Sequence, residues 1–296
     1  MQKVDSWQQR HKLPGFVFAL VKKYGDDEAT YLGALITYYG FLSLFPLLIV
    51  LVSVLTLAGS SEVTTKAIGS VAHYFPVAGQ DLQNNVHSLR HSGWKLIIAV
   101  LITLYGARGI ADILRRSVYK LWQVPKSKWF GFPKNVINSL AIIIFGGLGF
   151  IIADLLSTYV AALNASFVFW LLANLLSGGV IFGALFIIFR LCCSKRYAGR
   201  KTVVYSSLFG AIGIQILHGI GGYIITHELK HLSLLYGVFA IVLGMLFWIY
   251  LQAQVLLYAL EFGSVTSKKL WPRSITGKQP TAADDKMVKS TAATDK

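Results

Sequence analysis

Charge is scarce in this sequence. Only 14% of its 296 residues are Asp, Glu, Lys or Arg, where a soluble domain carries about 25%. Acidic residues are scarcer still: 13 against 28 Lys and Arg, for a net charge of +15. Such a composition excludes a soluble enzyme, a disordered chain and a collagen. Cysteine is nearly absent. The only two, Cys192 and Cys193, are adjacent and have no third to pair with, which excludes a disulfide framework. Nucleotide-binding motifs are missing too, with neither a Walker A sequence nor a GxGxxG. No cleavable signal peptide is expected, because the first 12 residues are polar and no short apolar core follows them. What is abundant is apolar surface: 55% of residues are hydrophobic and the mean hydropathy is +0.58. Lipid is the expected solvent.

A helix that crosses a bilayer needs about 20 apolar residues. Stretches free of ionisable side chains predict spans over 32–57, 135–160, 166–190, 202–226 and 233–260. A sixth, over 93–118, contains Arg108 and Asp112. These two stand at i and i+4, so they share a helix face and can pair. The expected fold is therefore all-α: a polytopic membrane protein with six transmembrane helices. Residues 1–28 form a cytoplasmic N-terminus whose segment 15–25 sets Val17, Leu20, Val21 and Tyr24 on one face beside Lys22 and Lys23. That pattern reads as an interfacial helix. Residues 29–265 form the membrane domain, with two short amphipathic helices expected within 59–92. Residues 266–296, rich in Lys, Thr, Ala and Asp, read as a disordered tail.

Positive charge sets the orientation. Six spans put 24 Lys and Arg on one side and 4 on the other; five spans give 22 and 6. Both arrangements make the 108–134 loop, the 190–201 loop and the tail cytoplasmic. Six spans also place both termini inside. Basic residues in juxtamembrane loops are expected to meet anionic lipid headgroups, and no nucleic-acid partner is expected.

Three stretches carry a resemblance. One is Tyr38-Tyr39 followed by Ser43-Leu44-Phe45-Pro46-Leu47-Leu48. The next runs from Tyr105 through Arg115, Arg116 and Tyr119 to Asn135. The last is Leu235-Tyr236-Gly237 with Phe239, then Trp248-Ile249-Tyr250-Leu251 and Glu261. Over roughly residues 15–265 the chain resembles the BrkB/YihY family of bacterial inner-membrane proteins. The resemblance implies six spans with both termini inside, and links to transport and serum resistance. An older label for the family is ribonuclease BN. One departure is Tyr258-Ala259-Leu260-Glu261, where the family often has Gly before Ala-Glu.

Polar residues within the predicted spans are the candidates for function. Tyr38, Tyr39, Arg108, Asp112, Gln252, Gln254 and Glu261 fall at cytoplasmic depth. They line a cytoplasm-facing polar cavity that binds a small or amphipathic solute, or they form a self-satisfied structural network. Pro46, with Ser43 beside it, predicts a kink that is either a hinge or a fixed bend. Gly179 and Gly183 suit close helix packing within the chain or in a homo-oligomer, as do Ser206 and Gly210. His227-Glu228-Leu229-Lys230-His231 matches the zincin pattern HExxH. It falls where a short outer turn is expected, and a third ligand would have to come from Glu62, His73, Asp81, His87 or His91. Ribonuclease chemistry lacks a His-x-His-x-Asp-His cluster. The expected protein is a transporter or sensor with no enzymatic activity, no cofactor and no metal. The alternatives are a structural partner in envelope assembly and an outer-face zinc metalloprotease that uses His227, Glu228 and His231.

Overall fold

The computed structural model describes residues 2–58, 93–162, 167–194, 196–236, 238–275 and 280–294. Among them there are helices and no strands. Two short helices open the chain, α1 (Gln2–Arg10) and α2 (Lys12–Asp26). Six long ones follow: α3 (Ala29–Ala58), α4 (Gly93–Leu121), α5 (Lys134–Ala162), α6 (Phe167–Cys192), α7 (Arg200–Tyr236) and α8 (Val238–Lys268). A last helix, α9, spans Ala282–Thr294. Each long helix packs on the next in sequence, and α8 returns to pack on α3. The six therefore close into a ring. Its core includes Ile36, Val118, Trp122, Phe189, Val203 and Leu257.

Three helices among the described residues are long and apolar enough to cross a membrane, within Leu171–Cys192, Arg200–Gly221 and Val242–Lys268. A shorter apolar helix covers Lys134–Gly149. The outward faces of α5 and α6 carry exposed Ile137, Leu148, Phe169, Leu175 and Leu176, as a lipid-facing surface would.

Small residues set the close approaches. On α7 and α8, a Cβ at Gly263 would collide with the Ser206 hydroxyl and stand 2.6 Å from the Thr202 carbonyl; one at Gly210 would meet Leu185 at 2.9 Å. Ser206 and Gly210 thus pack within the chain. Gly179 and Gly183 do not, since a Cβ at either would meet nothing within 4 Å. Packing of α5 on α6 instead uses Gly149 against Ala184.

Four expectations change. First, the turn expected after 226 is absent, and α7 stays helical through Tyr236. Glu228 and Lys230 mark the end of apolar sequence, but good helix formers need no lipid to remain helical. Second, the tail is ordered over 270–275 and 280–294. Arg273 and Ser274 are buried, and Thr281 and Asp284 cap α9 reciprocally: the Thr281 N–H donates to Asp284 Oδ2 at 3.0 Å and the Asp284 N–H to Thr281 Oγ1 at 3.4 Å. Third, the predicted face of α2 divides. Leu20 and Tyr24 are buried, whereas Val17 and Val21 join Leu13 in an exposed stripe. Fourth, Lys23 leaves the surface entirely. The helices expected within 59–92 lie outside the described residues.

At the foot of the ring, α4 and α8 both end in Schellman turns. Val124 N–H donates to Tyr119 O at 2.9 Å, and Leu270 N–H to Val265 O at 3.0 Å. The residues that reverse the chain, Gln123 and Lys269, hold φ of 56° and 53°. These turns place Trp122 and Lys268 beside each other, with the Lys268 ammonium donating to the Trp122 carbonyl at 2.7 Å.

Candidate functional site

The seven candidate polar residues do not converge on one cavity. Six of them separate into a sealed group at the foot of α8 and a partly exposed group where α3 meets α4, and Gln252 stands apart.

The sealed group is organised by Lys23. Its side chain is fully buried, and its three donors meet Asp27 Oδ2 at 2.5 Å, Glu261 Oε2 at 2.5 Å and the Leu121 carbonyl at 2.9 Å. Lys23 thereby ties α2 to both α4 and α8. Burial alone pulls the ammonium's pKa down, but the charges of Glu261 and Asp27 and their hydrogen bonds outweigh it, and the pKa rises above the ordinary 10.5. Next to it the Tyr24 ring stacks on Tyr258 at 4.1 Å, and the Tyr24 hydroxyl donates to Gln254. The Trp122 indole N–H donates to the Leu260 carbonyl at 3.1 Å. Glu261 and Gln254, expected to face a cavity, are thus occupied by the N-terminal helix. Glu261 pairs with Lys23 across 2.5 Å.

The second group centres on Asp112. Arg115, buried beneath it, donates from Nη2 to Asp112 Oδ1 at 2.9 Å and from Nη1 to the Asn135 carbonyl at 2.9 Å and to Ser139 Oγ at 3.2 Å. Ser139 donates to the same Asp112 oxygen at 2.7 Å. From the other side Arg108 brings Nε to 3.3 Å from Asp112 Oδ2. The expected i,i+4 pair therefore exists, but Arg115 shares its carboxylate. Ala111, Arg115 and Val118 turn one face of α4 to the core. Arg108 and Asp112 lie on its flank toward α5, with side chains 33% and 25% exposed. Tyr39 sits on the bare backbone of Gly109, where a Cβ would stand 2.7 Å from its ring. Tyr38 packs edge-on to Tyr39 at 5.4 Å and is exposed. Gln252 is partly buried on α8 and belongs to neither group.

Other expectations resolve individually. Ser43 donates to the Gly40 carbonyl at 2.7 Å, and α3 continues through Pro46, whose side chain lies outside the described residues. Gln215 donates to the Asn174 carbonyl at 2.7 Å, ordinary glue between α7 and α6. His227, Glu228 and His231 fall within α7; their side chains and all five candidate third ligands lie outside the described residues. Among the described residues no three His, Cys, Asp or Glu stand together as a metal site. A shallow cavity of about 310 Å³ between α7 and α8 is apolar, lined by Phe209, Ile216, Val255 and Tyr258 among others.

The family model for virulence factor BrkB matches residues 20–284. The chain belongs to the BrkB family. The matched range starts just before Lys23, includes both polar groups and ends at Asp284. No curated protein and no solved structure matches the chain. BrkB membership and the long apolar helices together make this a membrane protein in contact with the bilayer.

Proposed function

We propose that this BrkB-family protein is a six-span protein of the bacterial inner membrane, with both termini cytoplasmic, that transports or senses a small or amphipathic solute. The observation that carries the reading is the Arg108–Asp112–Arg115 group. It holds three ionisable side chains on one long helix, with Arg108 about midway between its ends. Ionisable residues at membrane depth are costly and usually mark a site or a pathway. The solute path runs past Tyr39, Arg108 and Asp112.

Contacts between the termini support an even span count. Asp5 on α1 accepts from the Ser274 hydroxyl at 2.9 Å and from the Ile275 N–H at 3.0 Å. Arg273 donates to Asp26 at 2.7 Å. Segments that touch so directly share one side of a membrane. Three apolar helices cannot return the chain to the side it left, whereas six can. In this reading the stripe Leu13, Val17 and Val21 lies in the headgroup layer as an interfacial helix, and the basic residues that follow α4 and those of the 190–201 loop meet anionic lipid. Gly179 and Gly183, open on α6, leave a surface for a second copy. No catalysis and no cofactor enter this function.

The test uses cysteines at Tyr39 and Asp112 in a Cys192→Ser, Cys193→Ser background. A water-soluble thiol reagent applied from the cytoplasm is expected to label both. If neither reacts, no aqueous path reaches the group. The structural-partner reading, favoured by the sealed Lys23–Glu261 contact, then replaces transport.

A further inference from the structure

The charges around Asp112 do not balance. Two guanidiniums, Arg108 and Arg115, share a single carboxylate. Arg115 takes the better share: its Nη2 lies 2.9 Å from Oδ1, and its Nη1 donates to the Asn135 carbonyl and to Ser139. Ser139 adds a further hydrogen bond to that same oxygen. Arg108 is left with an approach of 3.3 Å by Nε. That nitrogen is closed to solvent and has no hydrogen-bond partner among the described residues. One positive charge and the donor edge of Arg108 are therefore unmatched, on a side chain that is one-third exposed. On α4, which runs from Gly93 to Leu121, Arg108 has about 20 Å of helix on either side. In the proposed topology it lies well inside the bilayer. There an unmatched guanidinium is stable only with water or an anion beside it.

We propose that Arg108 is the binding residue for an oxyanion, a phosphate or carboxylate group presented at the flank of α4 that carries Asp112. The inference rests on the reading of α4 as a span and names the chemical class of the solute. A guanidinium offers a planar fork of donors that matches two oxygens of such a group. Asp112 competes for the same fork and keeps the empty site from being a bare charge. Arg115, buried and tied to Asn135 and Ser139, holds Asp112 in place and is a positioning residue. Exposed Arg116, one turn from Asp112 toward the cytoplasm, raises the local concentration of anions without being part of the site.

The same chemistry can come from a dissolved anion or from a lipid headgroup, and the experiment separates them. The full-length protein is titrated with inorganic phosphate at constant ionic strength. In parallel, retention of phosphatidylglycerol over phosphatidylcholine is measured by native mass spectrometry. Each is repeated with Arg108→Gln, Asp112→Asn and Arg116→Ala. Saturable phosphate binding that weakens tenfold or more in Arg108→Gln and tightens in Asp112→Asn supports a dissolved oxyanion. Selective retention of phosphatidylglycerol with the same pattern supports a lipid headgroup. Tightening in Asp112→Asn is the discriminating sign, because a merely structural Asp112 would not improve binding when neutralised. Binding of neither kind, or binding that depends on Arg116 rather than Arg108, overturns the proposal. A cysteine at Leu101 serves as the control on topology. If it is labelled by an aqueous reagent in intact membranes, α4 is not a span and the reading beneath the proposal falls with it. If it is protected while no anion binds, only the anion site is lost.

Discussion

Lys23 holds two carboxylates and a carbonyl on one ammonium, and no water reaches it. Removing one partner of a buried ion pair leaves the other charge uncompensated, which costs about 3–5 kcal/mol. Lys23→Met is therefore expected to lower the unfolding midpoint in detergent markedly. Lys23→Met with Glu261→Leu should recover most of that loss, because the stranded charge goes with it. Equal destabilisation by the single and double variants would contradict the ion-pair account. The raised Lys23 pKa fixes a sign as well. The ammonium's own contribution is fully present below the ordinary value of 10.5 and is lost as pH rises through the higher folded value. Part of this was legible. Lys23 and Asp27 stand at i and i+4, and Lys23 follows Leu20 by three residues, so it shares their inward face. The partner on α8 was not, because no local pattern joins residues 238 positions apart.

Helix-to-helix contact depends on where the side chains stop. Gly263 has no room for a methyl group, since backbone of Thr202 as well as the Ser206 hydroxyl stands against it. Gly263→Ala should cost about 1–3 kcal/mol, the usual range for overpacking. Gly183→Ala on the open face of α6 should leave the monomer's stability unchanged, since nothing lies within 4 Å. Comparing thermal unfolding of the two checks which glycines hold the ring together. A large loss from Gly183→Ala would mean that α6 packs against a surface outside this chain. The tail element carries a pH dependence. Burial pushes the Asp284 carboxyl up, but the N–H groups of Ser274 and Thr281, the Arg273 guanidinium and the Thr281 hydroxyl more than offset it. Its pKa falls below the ordinary 3.8. Asp284 thus stabilises the docked tail above that value, and the contribution is lost as pH falls through the folded pKa. Limited proteolysis should release residues beyond 270 only once pH falls through the lowered folded pKa in the parent, but already at neutral pH in Asp284→Asn. Resistance of that variant at neutral pH would contradict the cap. The long helices were legible from apolar run length, and α9 could have been found from Thr281 and Asp284 at capping-box spacing. Composition pointed to disorder instead, because a tail without an apolar core of its own becomes ordered only by contacts with residues far away in sequence, here Asp5, Gln8 and Asp26.

The whole molecule is a ring of six long helices whose two ends are fastened together beneath it. Asp5 binds Ser274 and Ile275, Gln8 donates to the Arg273 carbonyl at 2.6 Å, and Arg273 bridges Asp26 and Asp284. Loop charge is in agreement with six spans and termini on one side, but by a small margin: it divides 24 to 4 for six spans and 22 to 6 for five, which would put the N-terminus outside. The account of Arg108 as a membrane-embedded group depends on that agreement, since only an even number of spans places α4 across the bilayer and closes the chain on itself. Reporter fusions at the N-terminus and at the C-terminus, one active only in the cytoplasm and one only outside it, measure this most directly. Both ends are predicted to report the cytoplasm. An N-terminus outside with a C-terminus inside would contradict the account, for it would remove α4 from the membrane and part the two ends that the structure joins.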